Sequence, residues 1–148
     1  MAAVQVQHYL GWARDFREGM MRLREEEVFV FDNRLIPYRY SPALLAVHCA
    51  MSYANAICVG LGSTDVSYKD HRLAAEDMET RLKNYRGKLG DLAKQGPDQA
   101  RRILGHKNEI AYATSELRPE FVSEIVQRAI RFSLWAENIG SKLNIAGW

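Results

Sequence analysis

Eight basic side chains fall between positions 81 and 107: Arg81, Lys83, Arg86, Lys88, Lys94, Arg101, Arg102 and Lys107. Only Asp91 and Asp98 oppose them, so the segment carries an excess of +6 (eight minus two) in a chain of net charge +2. Such a cluster can track phosphates by displacing their counterions. It can equally be a solvated face, balanced in space by acids such as Glu25, Glu26 and Glu27. Tyr85 and Tyr112 are the only aromatics beside these charges, so base stacking has little support. A second polar set is His48, Ser52 and Asn55, spaced i, i+4 and i+7, which makes one narrow stripe on a helix. Either it faces segment 107–112 and lines a small pocket there, or its members satisfy neighbours inside a bundle. His8 and His71 read as structural or exposed.

Other chemistries find no foothold. No metal or other cofactor is expected, since no ligand cluster with metal spacing stands out. Cys49 and Cys58 are nine residues apart in one apolar stretch. At about 100° per residue they point roughly 180° apart on a helix and cannot pair. They read as buried free thiols of a reducing compartment. Gly60-Leu61-Gly62 lacks the Lys-Ser/Thr continuation of a phosphate loop and follows a helix. No serine nucleophile elbow occurs. No run reaches the roughly 18 apolar residues of a membrane span, and Met1-Ala2-Ala3-Val4-Gln5 does not open a signal peptide. The expectation is a cytoplasmic protein with no membrane partner.

The elements that must position these residues are helices. A length of 148 residues, 47% apolar and 26% charged, fits one globular domain spanning 1–148. Over about 4–27, Tyr9, Trp12, Ala13, Phe16, Met20 and Leu23 recur at helical steps. Val28-Phe29-Val30-Phe31 is apolar without a period; a strand there has no obvious partner, and Asp32-Asn33 ends it as a turn. Ser41-Pro42 starts a helix that Gly60 and Gly62 stop, with Leu44, Val47, Met51, Ala54, Cys58 and Leu61 on one face. Being the most apolar, it should be central. Ala74, Met78, Leu82 and Tyr85 mark a third helix over about 69–86. Pro97-Asp98 opens a fourth, to about Ile110. Thr114-Ser115 breaks the pattern, and Pro119 starts a last helix striped by Val122, Ile125, Ala129, Phe132, Ala136 and Ile139. With no sustained period of two, no sheet is expected. The prediction is an all-α antiparallel bundle of about five helices. Trp12, Trp135 and Met20-Met21 are assigned to core or dimer contact; an exposed Trp148 would suggest docking on a partner subunit.

Four stretches carry a resemblance. They are Ser41-Pro42-Ala43-Leu44-Leu45-Ala46-Val47-His48 leading to Tyr53-Ala54-Asn55-Ala56; Asp70-His71-Arg72; Arg102-Ile103-Leu104-Gly105-His106-Lys107-Asn108-Glu109-Ile110-Ala111-Tyr112; and a final helix that begins seven residues after Tyr112 and ends near Trp135-Ala136-Glu137-Asn138-Ile139. Together they resemble the HEPN superfamily over about 41–140, with the N-terminal helix packed on that core. The family comprises compact helical bundles that include RNA-cleaving toxins and inactive relatives. In active members Arg, four to six residues and His precede the last helix, and two copies face each other across a dimer. The resemblance implies that Arg clamps a phosphate and His moves a proton, without metal. Here Arg101, four residues and His106 satisfy that motif literally. Lys107-Asn108, three residues and Tyr112 align better with the last helix. In that register Lys replaces Arg, and a phenol near pKa 10 is a poor proton shuttle at neutral pH. The implied function is a weakly catalytic or non-catalytic homodimeric module. It would bind RNA, a nucleotide or a protein such as a toxin–antitoxin partner through 101–112. Lys107, Asn108 and Tyr112 would act with Arg101, Arg102, His48 and Asn55. The alternatives are a metal-independent endoribonuclease using Arg101 and His106, or a helical interaction protein with no nucleic-acid role.

Overall fold

The computed structural model describes residues 1–26, 28–38, 40–68, 70–112 and 116–148. Glu27, Lys69 and the expected break at Thr114-Ser115 lie outside them. Helices α1 (Ala2–Glu26), α2 (Tyr40–Gly60), α3 (Arg72–Leu82), α5 (Leu92–Leu104) and α7 (Pro119–Lys142) are the five long ones, with short α4 (Arg86–Leu89) and α6 (Lys107–Ala111) between them. The fold is all-α, as its periodicities predict.

α2 is central because it is apolar nearly all the way round. Fourteen of its residues are buried, and α1, α3, α5, α6 and α7 all pack on it. Contrary to the sequence expectation, this helix is long and apolar enough to cross a membrane, with a mean hydropathy of 1.5. Here 72% of that window is buried by the rest of the chain. Cys49 and Cys58 are buried free thiols within it, and burial pushes both up to about 12. α2 starts at Tyr40, one turn position ahead of Ser41-Pro42, which still leaves Pro42 where its missing N–H costs nothing.

α7 buries all six residues of its predicted stripe. α1 turns a slightly different face inward: Val6, Leu10, Ala13 and Met20 are buried, while Trp12 is 51% exposed and stacks on His8 at 4.5 Å. Trp12 is one residue, about 100°, away from Ala13, so it falls beside the true stripe.

Two expectations fail for local reasons. A small sheet does form: β1 (Val28–Phe31) pairs antiparallel with β2 (Arg34–Pro37). Asp32 and Asn33 take positive φ of 51° and 58°, the two-residue left-handed turn that Asp and Asn tolerate best. Each strand is four residues, too short for a period of two to register. Pro97 opens no helix; it lies inside α5. Trp135 packs against the turn that precedes it. The Trp135 indole N–H donates to the Leu92 carbonyl at 2.8 Å, and a Cβ on Gly96 would meet its ring at 2.3 Å. The fourth helix accordingly starts five residues earlier, and its expected last turn is a separate α6. The third helix likewise ends at Leu82, followed by a 3-10 turn and α4.

Candidate functional site

The loop from α2 to α3 is locked by one carboxylate. Asp77 accepts from Ser63 Oγ (2.6 Å), Tyr68 Oη (2.8 Å) and Arg81 Nε (2.9 Å), and Arg81 also donates to the Leu61 carbonyl at 3.2 Å. That lock fixes the approach to α3. There Asp70 accepts the Arg72 amide at 2.9 Å and holds the Arg72 guanidinium at 2.6 Å. The guanidinium keeps the Asp70 carboxyl ionised, down to about 2.

Opposite this turn, α5 ends at Leu104, Gly105 closes the corner, and α6 begins at Lys107. Between the two segments lies a polar cleft of about 440 Å³, lined by Asp70, His71, Arg72, Gly105, Lys107 and Asn108 among others. Gly105 packs closely at this corner, where a Cβ would sit 3.0 Å from the Arg101 carbonyl. Two imidazoles feel the charge of Lys107. His48, half-buried with its ring 5.5 Å from Phe16, has its pKa lowered first by burial and then by Lys107. His71 is lowered by burial and then by Lys107, against a smaller upward pull from Asp70. Among the described residues Asp70 is the one acid lining the cleft, and it is already engaged by Arg72. That leaves Lys107 as the cation there without a carboxylate, beside the protonatable His71 and the amide of Asn108, an arrangement suited to an anion with several acceptor oxygens.

The sequence-selected residues divide. Lys107 and Asn108 line the cleft, and His48 lies within electrostatic reach of Lys107. Tyr112 is 73% exposed and is absent from the lining; its amide donates to the Asn108 carbonyl. Asn55 is buried with an unpartnered Oδ1, and it does not line the cleft. Arg102 is exposed.

Arg101 and His106 take different partners. Arg101 is paired with Glu79 on α3 and with Asp98 at 3.1 Å. His106 Nδ1 is bonded to Glu109 Oε2 at 2.8 Å, and the ring packs edge-on against Phe121 at 5.1 Å. His106 and Glu109 have an i, i+3 spacing that the sequence reading passed over. Acids of α3, not Glu25 and Glu26, balance the basic cluster, through Asp77 with Arg81 and Glu79 with Arg101.

His71, Asp70 and Arg72 are the site residues that residue-by-residue reasoning missed. Their one signal was membership of a matched stretch. Trp148 is not free for a partner subunit. Its indole lies over Gly140, where a Cβ would meet it at 1.9 Å, and its N–H donates to Glu137 at 3.1 Å. Among the described residues no group of His, Cys, Asp and Glu could hold a metal ion. No family model, no curated protein and no solved structure matches this chain.

Proposed function

We propose that this chain is a HEPN-like, homodimeric, non-catalytic module that binds the phosphate of RNA or of a nucleotide in the cleft between His71-Arg72 and Lys107-Asn108. The observation that carries the reading is the company Lys107 keeps: two histidines whose pKa values are lowered by burial and then by its charge, and, among the described residues, no acid in the cleft that is not already held by Arg72. A phosphate there gains charge-assisted bonds from Lys107 and His71, and Asn108 adds a neutral donor. The reading is of binding without cutting, because the Arg101 guanidinium that would clamp the phosphate is engaged by two carboxylates, Glu79 and Asp98.

Fluorescence anisotropy of a labelled single-stranded RNA, titrated at low and at moderate salt with chelator present, tests this. Binding should weaken with salt and fall about tenfold or more in Lys107→Ala, with the RNA intact on a gel. Absence of salt-sensitive binding at low ionic strength removes the reading.

One observation favours a second reading, cleavage by Arg101 and His106. Glu109 on Nδ1 holds the imidazole as a carboxylate does in acid–base pairs, leaving Nε2 for proton transfer. Cleavage in chelator that His106→Ala abolishes would replace the first reading with this one.

A further inference from the structure

A second concavity shares no lining residue with the cleft. It is an apolar pocket of about 300 Å³ where the end of α1, the end of β2 and the first turns of α2 and α7 meet. Leu23, Pro42, Pro119, Val122 and Val126 form its walls. Pro37 also lines it, so three prolines bound one small volume. Each has a fixed φ and no N–H to satisfy, so these walls are preformed and cost little to order around a ligand.

Only two charged or hydroxyl groups besides Tyr38 reach the lining, Arg24 and Ser123. Arg24 is exposed, and like Arg17, Arg34, Arg86, Arg102, Arg118 and Arg131 it has no ion-pair partner among the described residues. Glu26, two residues on, accepts the Tyr38 hydroxyl at 3.4 Å instead. The pocket thus pairs an apolar interior with one unneutralised guanidinium at its lining. That is the complement of a molecule with a hydrocarbon body and a single acid group.

We propose that this pocket binds a small apolar monocarboxylate, with its chain against Leu23, Val122 and Val126 and its carboxylate on Arg24. The volume lies at the small end of ligand sites, which run from roughly 300 to 1,000 Å³, so the ligand has on the order of ten non-hydrogen atoms. An alcohol of the same length loses the charge-assisted bond, and an amine is repelled.

The test titrates octanoate, octanol and octylamine into the isotope-labelled chain and follows the Val122 and Val126 methyl signals. Octanoate should bind saturably at those methyls at least about tenfold tighter than octanol, with octylamine the weakest. Arg24→Gln should reduce octanoate to the level of octanol while the spectrum stays dispersed. Val126→Trp, which fills the pocket, should abolish both; Arg24→Lys, which keeps the charge, should retain a preference for the acid. Equal affinity of octanoate and octanol for the wild-type chain overturns the proposal. So does saturation at other sites, such as the exposed Val4–Trp12 face of α1, or no saturation at all.

Discussion

Glu137 and Lys107 each anchor a polar cluster, and the two clusters are built in opposite ways. Glu137 accepts both guanidinium nitrogens of Arg14 (2.8 and 2.9 Å), the Tyr53 hydroxyl (2.8 Å) and the Trp148 indole (3.1 Å). One charge is satisfied by donors from α1, α2 and the segment after α7. Lys107 stands among two histidines and an arginine, and the one acid lining its cleft is already engaged. A closed cluster contributes to stability, because every group loses a partner when the chain unfolds. An open cluster, one lysine beside two imidazoles that are neutral at pH 7, contributes little by itself and gains when something of opposite charge arrives.

The largest separation between them is expected from Glu137→Gln. Its carboxyl is held below the usual range first by Arg14, against the opposing effect of burial. Losing the charge should cost about 2 kcal/mol, since Arg14 is partly solvent-screened and the Tyr53 and Trp148 bonds weaken with it, lowering Tm by about 5 °C. RNA or nucleotide binding at 20 °C should be untouched. The sign with pH follows. A depressed carboxyl stabilises above its unfolded value, and that stability is lost as pH falls below 4.5 through the folded value. Acid titrations followed by circular dichroism should show a shallower loss in the variant. A variant as stable as the parent would make Glu137 a bystander.

Next in size is Lys107→Ala. It should weaken RNA binding about tenfold or more and leave thermal stability at neutral pH unchanged, since Lys107 holds no carboxylate in the cleft. A stability loss without a binding loss would reverse the comparison.

The pH dependence of binding sharpens it further. His48 and His71 are depressed from 6.5, so both are neutral at pH 7. As pH falls below 6.5 the unfolded chain takes up protons first, and the free protein loses stability. A bound phosphate favours the protonated rings, so affinity should rise over the same interval. Titration calorimetry at pH 7.5 and 5.5 should show tighter binding at the lower pH, with proton uptake. Equal affinities would place the histidines outside the site.

The smallest effect is expected at Arg101. Its pairs with Glu79 and Asp98 are a third exposed, and such pairs contribute about 1 kcal/mol or less. Arg101→Ala should lose that much in chemical denaturation and little in RNA affinity. A large affinity loss would instead favour the ribonuclease reading.

The helices and their inward faces were legible because an apolar stripe is a property of consecutive residues. α7 shows it at Val122 through Ile139, and α2 in its unbroken apolar character. The β1–β2 turn was half legible: Asp32-Asn33 signalled a reversal, but two four-residue strands were too short to show their pairing. Pro97 misled because proline is commonest in the first turn of a helix, whereas here it lies inside α5. Lys107 and Asn108 were found, since they lie together in one matched stretch. His71 was set aside, because nothing near it in sequence shows that α3 begins opposite α6.

Sequence alone determined the all-α class, the central place of α2, the free buried thiols and the segment that carries Lys107. Tertiary structure alone decided which charges are neutralised. Asp77 and Glu79 take Arg81 and Arg101 and Glu137 takes Arg14, while Lys107 and Arg24, like several other basic side chains, hold no carboxylate among the described residues. The reason is physical. Periodicity follows from backbone geometry repeated every few residues. The neutralisation of a charge depends on the few ångströms around it, and those are filled by residues distant in the chain.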